Sequence, residues 1–325
     1  MKEEEIRPQK LFDEFLRLAE KDTAVFFSDT PCENKPCPAC NKTGEFAFAK
    51  HGFTYEICPS CETLFVNPRP EVEAFAKYYQ EAESTKYWAT AFYKETAEAR
   101  RKKLWLPKVH KILEIMKRYS ANDHKLIDIG GGYGLFACEM EKVSGKPALV
   151  IEPNPHMAKE CRGKSLHVIE KFLENIVQDD LPSSAKTFVS FELFEHLHNP
   201  AIFLDHLLKL MNKGDLFIFT TLSGTGLDIQ ILWENSKSVS PPHHLNFFNP
   251  NSVKIILEKS GFELLEVTTP GKLDIDILVK NRRFIKDHFW RSFTAAASET
   301  TKEQWQNLIA STGLSSHMMA VCRKI

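Results

Sequence analysis

The segment "KLIDIGGGYG", residues 125–134, constrains the fold of this 325-residue chain more than any other feature. An apolar run that carries one acid, Asp128, breaks into four glycines within five positions. Glycine accepts backbone conformations that strain other residues, and it lets the backbone approach another group closely. Turns of this kind, between a strand and a helix, hold dinucleotides, nucleoside triphosphates or S-adenosylmethionine (SAM), and the rest of the sequence has to distinguish among these ligands.

Strand and helix patterns alternate after the glycine turn begins. The strand segments are, in order, "KLIDI", "PALVI", "LHVIE", "TFVSFE", "DLFIFTTL", "FELLEVTT" and "SHMMAVCRK". Two of the intervening helices have clear start signals, because Asn199-Pro200 and Asn249-Pro250 each combine an N-cap residue with proline at the first helical position. This order predicts an α/β fold of the Rossmann-like type, with a mostly parallel seven-stranded sheet and helices on both faces.

Four divisions of the chain follow from composition. We predict an N-terminal helical segment over residues 1–30 and a small cysteine-rich module over 31–70. A helical, aromatic-rich lid or linker covers 71–118. The α/β core covers 119–325 and carries an insertion at about 270–315, between its last two strands.

Two cysteine pairs define the small module. Cys37-Pro-Ala-Cys40 and Cys58-Pro-Ser-Cys61 match the spacing of a four-thiolate zinc site, and the alternating segment between them predicts the hairpin of a zinc ribbon. Cys32 opens an alternative, because its spacing to Cys37 and Cys40 also matches a plant-type iron–sulfur pattern. That alternative leaves one cysteine of the second pair unused. We therefore predict zinc bound by Cys37, Cys40, Cys58 and Cys61.

Overall charge argues against several classes of partner. The chain has 42 basic and 43 acidic residues, which gives no general attraction to nucleic acid or to an anionic membrane. No apolar run reaches the ~18–20 residues of a membrane span, and "MKEEEIRPQK" lacks the order of a signal peptide. We expect a cytoplasmic protein with reduced cysteines, and its oligomeric state stays open.

Asp128 helps to choose the ligand of the glycine turn. A P-loop is excluded, because no lysine and hydroxyl follow at the required offset. A dinucleotide fits the relaxed pattern of Gly132, Gly134 and Ala137, with Glu152 where a ribose-binding acid belongs. The carboxylate of Asp128 suits the ammonium group of SAM and would repel a pyrophosphate. Asp128 can also simply cap the turn, and an NAD-dependent enzyme remains the alternative.

Four motifs in order resemble the class I SAM-dependent methyltransferases. "LIDIGGGYGLFA" looks like their first motif and "VIEPNP" like their second, while "TFVSFELFEHLHNP" and "HHLNFFNPNSVKIILEKSGFELLEV" resemble the segments after their fourth and fifth strands. The resemblance covers about residues 100–270 and implies an antiparallel last pair of strands. It also implies that Glu152 holds the ribose hydroxyls and that Glu192 lies near the amino group of SAM. The implied cofactor-binding residues are Asp128, Gly130, Gly131, Gly132, Gly134, Glu152, Pro153 and Glu192.

For methyl transfer the protein has to position the acceptor beside the methyl group, and with many acceptors it also has to supply a base. Positioning alone can account for ~7–11 kcal/mol of the barrier, and a base handles a hydroxyl or an acidic C–H. Candidate bases lie at the carboxyl ends of the fourth and fifth strands, where open α/β sheets bind ligands. They are Glu192, Glu195, His196, His198, His243 and His244. We favour His244 as the base, with His196 and Glu195 as further catalytic candidates. Helix capping or packing is the alternative role for each histidine.

The combination of "CPAC", "CPSC" and "LFVNPRP" with this core resembles bacterial methyltransferases of sugar and surface-glycan biosynthesis. The resemblance implies a small polar acceptor, such as a nucleotide sugar or a glycan precursor, methylated at carbon or oxygen. The alternative is an RNA or protein methyltransferase whose ribbon recognises the polymer. A binding module that keeps the fold without turnover is a third possibility.

Overall fold

The computed structural model describes all 325 residues. Its helices are α1 (Gln9–Phe27), α2 (Val72–Glu81), α3 (Glu83–Tyr87), α4 (Tyr93–Arg100), α5 (Leu106–Arg118), α6 (Leu135–Ser144), α7 (Pro155–Gly163), α8 (Pro200–Leu210), α9 (Leu227–Leu232), α10 (Pro250–Lys259), α11 (Asp274–Lys280), α12 (His288–Ala296) and α13 (Glu299–Ser311). Its strands are β1 (Cys32–Glu33), β2 (Glu45–Lys50), β3 (Phe53–Ile57), β4 (Leu64–Val66), β5 (Arg69–Pro70), β6 (Lys125–Ile129), β7 (Ala148–Ile151), β8 (His167–Ile169), β9 (Lys186–Phe191), β10 (Leu216–Leu222), β11 (Asn246–Phe247), β12 (Phe262–Thr268) and β13 (His317–Lys324).

Seven strands form the main sheet in the order β12-β13-β10-β9-β6-β7-β8. The five strands from β10 to β8 are parallel to one another, and β13 is antiparallel to both β10 and β12. The predicted Rossmann-like sheet and its antiparallel last pair are therefore confirmed. The chain reverses its direction across the sheet between β6 and β9, and ligands bind at the carboxyl ends of strands beside such a switch point.

Helices cover both faces of this sheet, so its central strands are apolar on both sides. Every residue of β9 and of β10 is buried. Phe188 and Phe217 pack on one face with the residues of α8 and α10, whereas Val189 and Ile218 pack on the other with those of α5 and α6. Alternate side chains thus tie the strands to two separate layers, which fixes the strand ends on which a site can be built.

The two predicted helix starts are confirmed. The side chain of Asn199 accepts a hydrogen bond from the backbone N–H of Ile202, at the start of α8. The side chain of Asn249 accepts one from the N–H of Ser252, at the start of α10. In each helix a proline follows the cap, where its missing N–H costs nothing.

The cysteine-rich module forms a second sheet that the core completes. β2, β3 and β4 are antiparallel neighbours, as the predicted hairpin requires. β11 comes from the core and pairs with β4, with Asn246 opposite Phe65 and Phe247 opposite Leu64. Sequence patterns did not predict β11, because two residues are too few to show a period.

A long helical stretch lies over the glycine turn. Two π-helical turns, Trp88–Phe92 and Arg101–Trp105, join α3, α4 and α5 into one continuous run. Such turns are frequent at functional sites. The ring of Tyr93 stacks on Tyr133 within the glycine turn at 3.7 Å between centroids, and the Tyr133 hydroxyl donates a hydrogen bond to the Ala89 carbonyl. The stretch therefore covers the turn directly.

The N-terminus is anchored on the segment between β12 and β13, which forms α11, α12 and α13. The backbone N–H of Glu3 donates to Asp276 Oδ2 at 2.7 Å, and Lys2 Nζ lies 2.7 Å from Glu299 Oε2. These contacts hold the residues before α1 against the core. No helix of the chain combines the length and the apolar character that a membrane crossing requires.

Candidate cofactor, acceptor and metal sites

Glycine is required at the turn after β6 for two distinct reasons. Gly130, Gly132 and Gly134 have φ angles of 70°, 56° and 69°, in the left-handed region that strains residues with a Cβ. Gly131 has no such angle, but a Cβ at this position would lie 2.7 Å from Val150 Cγ1 and 3.0 Å from Asp128 Oδ2. Three of the four predicted glycines are therefore required by backbone conformation, and Gly131 is required by close packing.

Asp128, at the end of β6, is a buried acid with an unsatisfied oxygen. Its side chain is only 2% exposed, and Oδ2 has no hydrogen-bond partner. Burial, reinforced by repulsion from Glu152 and opposed by Lys108, raises the pKa of Asp128 to about 7. A ligand that carries an ammonium group would supply both the missing donor and the missing charge. The methionine part of SAM fits this requirement.

Glu152, at the end of β7, connects the glycine turn after β6 with the turn after β7. The sequence analysis predicts that both turns bind the same ligand. Its Oε2 accepts a hydrogen bond from the N–H of Gly132 at 2.8 Å, and its Oε1 accepts one from the N–H of Asn154 at 2.9 Å. Burial raises the pKa of Glu152 although both N–H groups oppose the rise. Pro153 lies between Glu152 and Asn154 in the sequence. The structure thus brings the predicted residues of both motifs together.

Glu192 follows β9 in a strained conformation, with φ at 53°. Its Oε1 accepts a hydrogen bond from the Thr220 hydroxyl at 2.7 Å, and it lies 3.6 Å from Lys108 Nζ and 3.3 Å from His317 Nδ1. Burial opposes ionisation of Glu192, but His317, Lys108 and Thr220 together lower its pKa to about 2. Burial also lowers the pKa of His317, so near pH 7 Lys108 is the cation that balances Glu192. Strained residues cluster at functional sites.

Sequence reasoning missed Lys108 and His317 as neighbours of Glu192. Lys108 lies on α5 and His317 on β13, about 210 residues apart in the sequence. No local motif includes either residue. Their contacts with Glu192 arise only when α5 and β13 pack beside β9 and β10 in the folded protein.

The three predicted catalytic residues lie together. One possible ligand atom each from Glu195, His196 and His244 falls within 4.8 Å of the others, and the two imidazole centroids are 4.9 Å apart. Glu195 Oε2 accepts a hydrogen bond from the Thr221 hydroxyl at 2.9 Å. Burial and the charge of Glu192 raise the pKa of Glu195 well above its usual value. These two effects favour the protonated form of Glu195 over the carboxylate.

His244 has the tautomer that a proton acceptor needs. Its Nδ1 lies 2.6 Å from the Ser238 carbonyl, so Nδ1 carries the hydrogen and Nε2 keeps its lone pair. Burial, with a smaller contribution from His196, lowers the pKa of His244 to about 3. Burial likewise lowers the pKa of His196 to about 4. Both imidazoles are neutral near pH 7.

The other two histidine candidates make contacts typical of structural residues. His243 Nε2 lies 2.7 Å from the Tyr78 hydroxyl of α2, which also contacts Ser84. His198 Nε2 lies 2.9 Å from the Pro70 carbonyl. These two side chains connect the strand ends to the helical stretch and to the cysteine module.

The four predicted metal-binding thiols form a compact cluster. Cys37 Sγ and Cys61 Sγ are 3.5 Å apart, and Cys40 Sγ and Cys58 Sγ are 3.4 Å apart. A disulfide requires about 2.05 Å, whereas four thiolates bound to zinc at ~2.3 Å lie about 3.8 Å from one another. The spacing therefore fits a tetrahedral metal ion. Cys32 is exposed and lies outside the cluster.

The ribbon holds the backbone that carries His244. The Tyr55 hydroxyl of β3 donates a hydrogen bond to the His244 carbonyl at 2.8 Å. The N–H of Val66 donates to the Leu245 carbonyl at 2.9 Å, and the N–H of Leu245 donates to the Glu195 carbonyl at 2.8 Å. This chain of contacts connects the ribbon, the His244 loop and the Glu195 loop.

A comparison with protein families agrees with this geometry. A family described as "Methyltransferase domain" matches residues 97–267, which is just over half of the chain. Among curated proteins, the mitochondrial ubiquinone biosynthesis O-methyltransferase of Dictyostelium discoideum is 22% identical over 116 residues. That alignment covers 31% of this chain and 36% of the relative, so it spans about a third of the relative's length.

Solved structures of similar fold include further methyltransferases. One is the plantazolicin methyltransferase BamL, solved with a triazolic desmethylPZN analog and S-adenosylhomocysteine (SAH). Its TM-score is 0.48 at 13% identity, and the alignment covers 77% of this chain and 93% of BamL. A SAM-dependent methyltransferase from Archaeoglobus fulgidus has a TM-score of 0.41 at 18% identity, covering 66% and 94%. With more than half of its length matched by one family, the chain belongs to the SAM-dependent methyltransferases, and residues 97–267 form its methyltransferase domain.

Proposed function

We propose that the protein transfers a methyl group from SAM to a small polar acceptor and that His244 accepts the acceptor's proton. A nucleotide sugar or a surface-glycan precursor, methylated at carbon or oxygen, agrees with the resemblance of the ribbon and core to sugar methyltransferases. The observation that supports this function best is the His244 imidazole, neutral and with Nε2 free to accept a proton. The alternative is an RNA or protein acceptor recognised by the ribbon.

The proposed cofactor-binding roles rest on the unsatisfied oxygen of Asp128 and on the backbone contacts of Glu152. Asp128 would bind the ammonium group, Glu152 the ribose hydroxyls, and the glycines would let the backbone approach the ligand. Glu192 would lie near the amino group, with Lys108 holding its carboxylate in place. SAM supplies an already activated methyl group, so the protein has to align the acceptor and remove a proton.

Proton removal falls to His244 because of the groups around it. Burial and Glu192 favour the protonated form of Glu195, and the Thr221 hydroxyl holds its side chain, so we assign Glu195 an orienting role. Burial makes an imidazolium at His244 costly, and the carboxylate of Glu192 offsets part of that cost. A positioned base contributes about 10²- to 10⁴-fold in rate.

The ribbon's proposed role is structural. We assign zinc to Cys37, Cys40, Cys58 and Cys61, because the thiols already have tetrahedral spacing. In segments that lack a core of their own, metal binding supplies the folding free energy. We divide the chain into residues 1–30, 31–70, 71–118 and 119–325. In this division the ribbon, residues 31–70, positions the His244 loop of the core, residues 119–325.

The test measures methyl transfer from SAM to UDP- and dTDP-sugars, with bulk tRNA and a peptide library as the polymer acceptors. His244→Ala should lower turnover with the preferred acceptor by ~10²-fold or more and leave the Kd for S-adenosylhomocysteine (SAH) unchanged. His110→Ala, at an exposed position of α5, is the control and should match the wild type.

Two results would contradict the proposal. Transfer to tRNA or peptide alone would replace the small acceptor with a polymer. Unchanged turnover in His244→Ala would remove His244 from the proton transfer.

A further inference from the structure

Two arginines beside the candidate acceptor site have no carboxylate partner. The Nε atom of Arg7 is buried and makes no hydrogen bond, and the guanidinium lies 5.4 Å from the ring centre of Phe12. The guanidinium of Arg100 lies 5.8 Å from the ring centre of Trp88 and forms no salt bridge. Each cation rests on an aromatic ring, which cannot satisfy its N–H donors.

The next residue shows what a satisfied arginine looks like in this helical stretch. Arg101 lies 2.8 Å from carboxylate oxygens of both Glu98 and Glu139. Arg100 is the neighbouring residue in sequence, yet it has no carboxylate partner. Both acids pair with Arg101, and neither forms a salt bridge with Arg100.

Arg7 and Arg100 also lie close enough to act on each other and on the site. Burial, followed by repulsion from Arg7, lowers the pKa of Arg100 to about 10. The charge of Arg7 also influences the pKa of Glu192 and of His244. Two like charges in a partly buried place are unfavourable unless a counter-charge accompanies them.

An aromatic wall connects the two arginines with the histidines. Trp88 stacks on Phe92 at 4.1 Å between centroids and packs on Phe15 at 4.8 Å. Phe15 in turn lies 5.3 Å from His243, and His243 lies 6.1 Å from His196. The aromatic contacts thus run without a break from Trp88, beside Arg100, to His196.

The charges in this region do not balance. Glu192 is the ionised acid that faces it, and Lys108 lies 3.6 Å from this carboxylate. Burial and Glu192 raise the pKa of Glu195 well above its usual value, which disfavours a second negative charge here. Arg7 and Arg100 are left in excess, and bound SAM adds a further sulfonium charge.

We propose that Arg7 and Arg100 bind an anionic group of the methyl acceptor, a phosphate or a carboxylate, while His244 faces the atom to be methylated. This inference rests on the proposed function. Guanidinium groups bind phosphate and carboxylate through paired, charge-assisted hydrogen bonds. The N-terminal residues, anchored on Asp276 and Glu299, hold Arg7 in its place.

The test titrates UDP, inorganic pyrophosphate and malonate into the protein by calorimetry, with and without saturating SAH. Arg7→Gln and Arg100→Gln should each weaken binding of the preferred anion by about 10-fold or more, as expected for a lost charge-assisted hydrogen bond. The Kd for SAH should change less than about 2-fold. Arg17→Gln is the matched control, because Arg17 is exposed and pairs with Glu14.

Each outcome decides a separate point. A preference for UDP or pyrophosphate identifies a phosphate, and a preference for malonate identifies a carboxylate. Loss of SAH binding in both variants would mean that the arginines hold the carboxylate of SAM, which overturns the inference and leaves the methyltransferase intact. Anion binding that neither variant weakens also overturns it. Failure of the wild type to bind SAH, with arginine-dependent anion binding retained, would overturn the proposed function instead.

Discussion

The proposed cofactor edge and the proposed acceptor edge of this protein are built in different ways. The cofactor edge, defined by Asp128, the glycine turn, Glu152 and Glu192, comes from the ends of the neighbouring strands β6, β7 and β9, within residues 128–192. The acceptor edge, defined by Arg7, Arg100, Glu195, His196 and His244, comes from segments spread over residues 7–244. The residues of the cofactor edge lie within one stretch of the sequence, whereas those of the acceptor edge come together only when distant segments pack against one another.

This difference predicts which changes affect which function. The cofactor edge depends on backbone shape and on one sheet, so its support lies inside the core. The acceptor edge depends on the ribbon, which bonds to the backbone of the His244 loop. Damage to the ribbon should therefore reduce methyl transfer more than cofactor binding.

The largest expected effect comes from Cys58→Ser. If the four thiols bind zinc as proposed, loss of one thiolate should reduce zinc from about one per chain to a small fraction. The melting temperature should then fall by ~10 °C or more, because the proposed metal would contribute to the ribbon's folding free energy. Turnover should fall by about 100-fold or more, while the protein that remains folded still binds SAH. Elemental analysis, thermal unfolding and calorimetry measure the three effects.

Cys32→Ser is the matched control, because Cys32 is exposed and outside the thiol cluster. It should leave zinc content, melting temperature and turnover unchanged. Treating the wild type with a chelator should reproduce the Cys58→Ser result without a substitution. Equal losses of SAH binding and turnover would show that the two edges are not independent.

An intermediate effect is expected at the cofactor edge from Asp128→Asn. The variant should bind SAH about 10-fold or more weakly, since the carboxylate partner of the ammonium group is lost. Without ligand it should be more stable than the wild type, because burial raises the pKa of Asp128 from 3.8 to about 7. Unfolding midpoints and SAH titrations from pH 4 to 9 test both effects.

The sign of the pH dependence follows from proton binding. Between pH 4 and 7 the native wild type holds a proton on Asp128 that the unfolded chain has released, so wild-type stability falls as the pH rises through this range. The stability advantage of Asp128→Asn should grow over the same range and stay constant above it. A stability difference that does not vary with pH would mean that Asp128 is already ionised in the empty site.

The smallest expected effect comes from Tyr55→Phe. It removes the hydrogen bond from the ribbon to the His244 carbonyl, which is worth about 1 kcal/mol. Turnover should fall by about 3- to 10-fold with an unchanged Kd for SAH. If Tyr55 acts through His244, the substitution should have no further effect in a His244→Ala background. A full additional loss there would assign Tyr55 a role of its own.

Much of the fold was predictable because its signals are local. The strand segments of the core, the caps at Asn199 and Asn249, and the hairpin between the cysteine pairs each depend on residues within one or two elements. The glycine turn adds a local conformational requirement that few other folds share. Such patterns survive in the sequence without any knowledge of what packs against them.

The acceptor edge was less predictable because its contacts join distant segments. The position of His244 and His196 after strands identifies them as candidates, but the raised pKa of Glu195 depends on burial and on Glu192. Arg7 and Arg100 carry no motif, and each resembles an ordinary surface arginine in sequence. Their significance arises only where the N-terminal residues and α4 meet.

The pairing of β4 with β11 has a consequence for synthesis of the chain. β4 ends at residue 66 and its partner begins at residue 246, so about 180 residues separate them, and at ~5–20 residues per second the partner emerges roughly 10–35 s later. During that interval the edge formed by Leu64, Phe65 and Val66, each at most 1% exposed in the finished protein, has no neighbour. An open apolar edge recruits other strands. Until β11 is synthesised, the growing chain therefore exposes an apolar strand edge that favours aggregation.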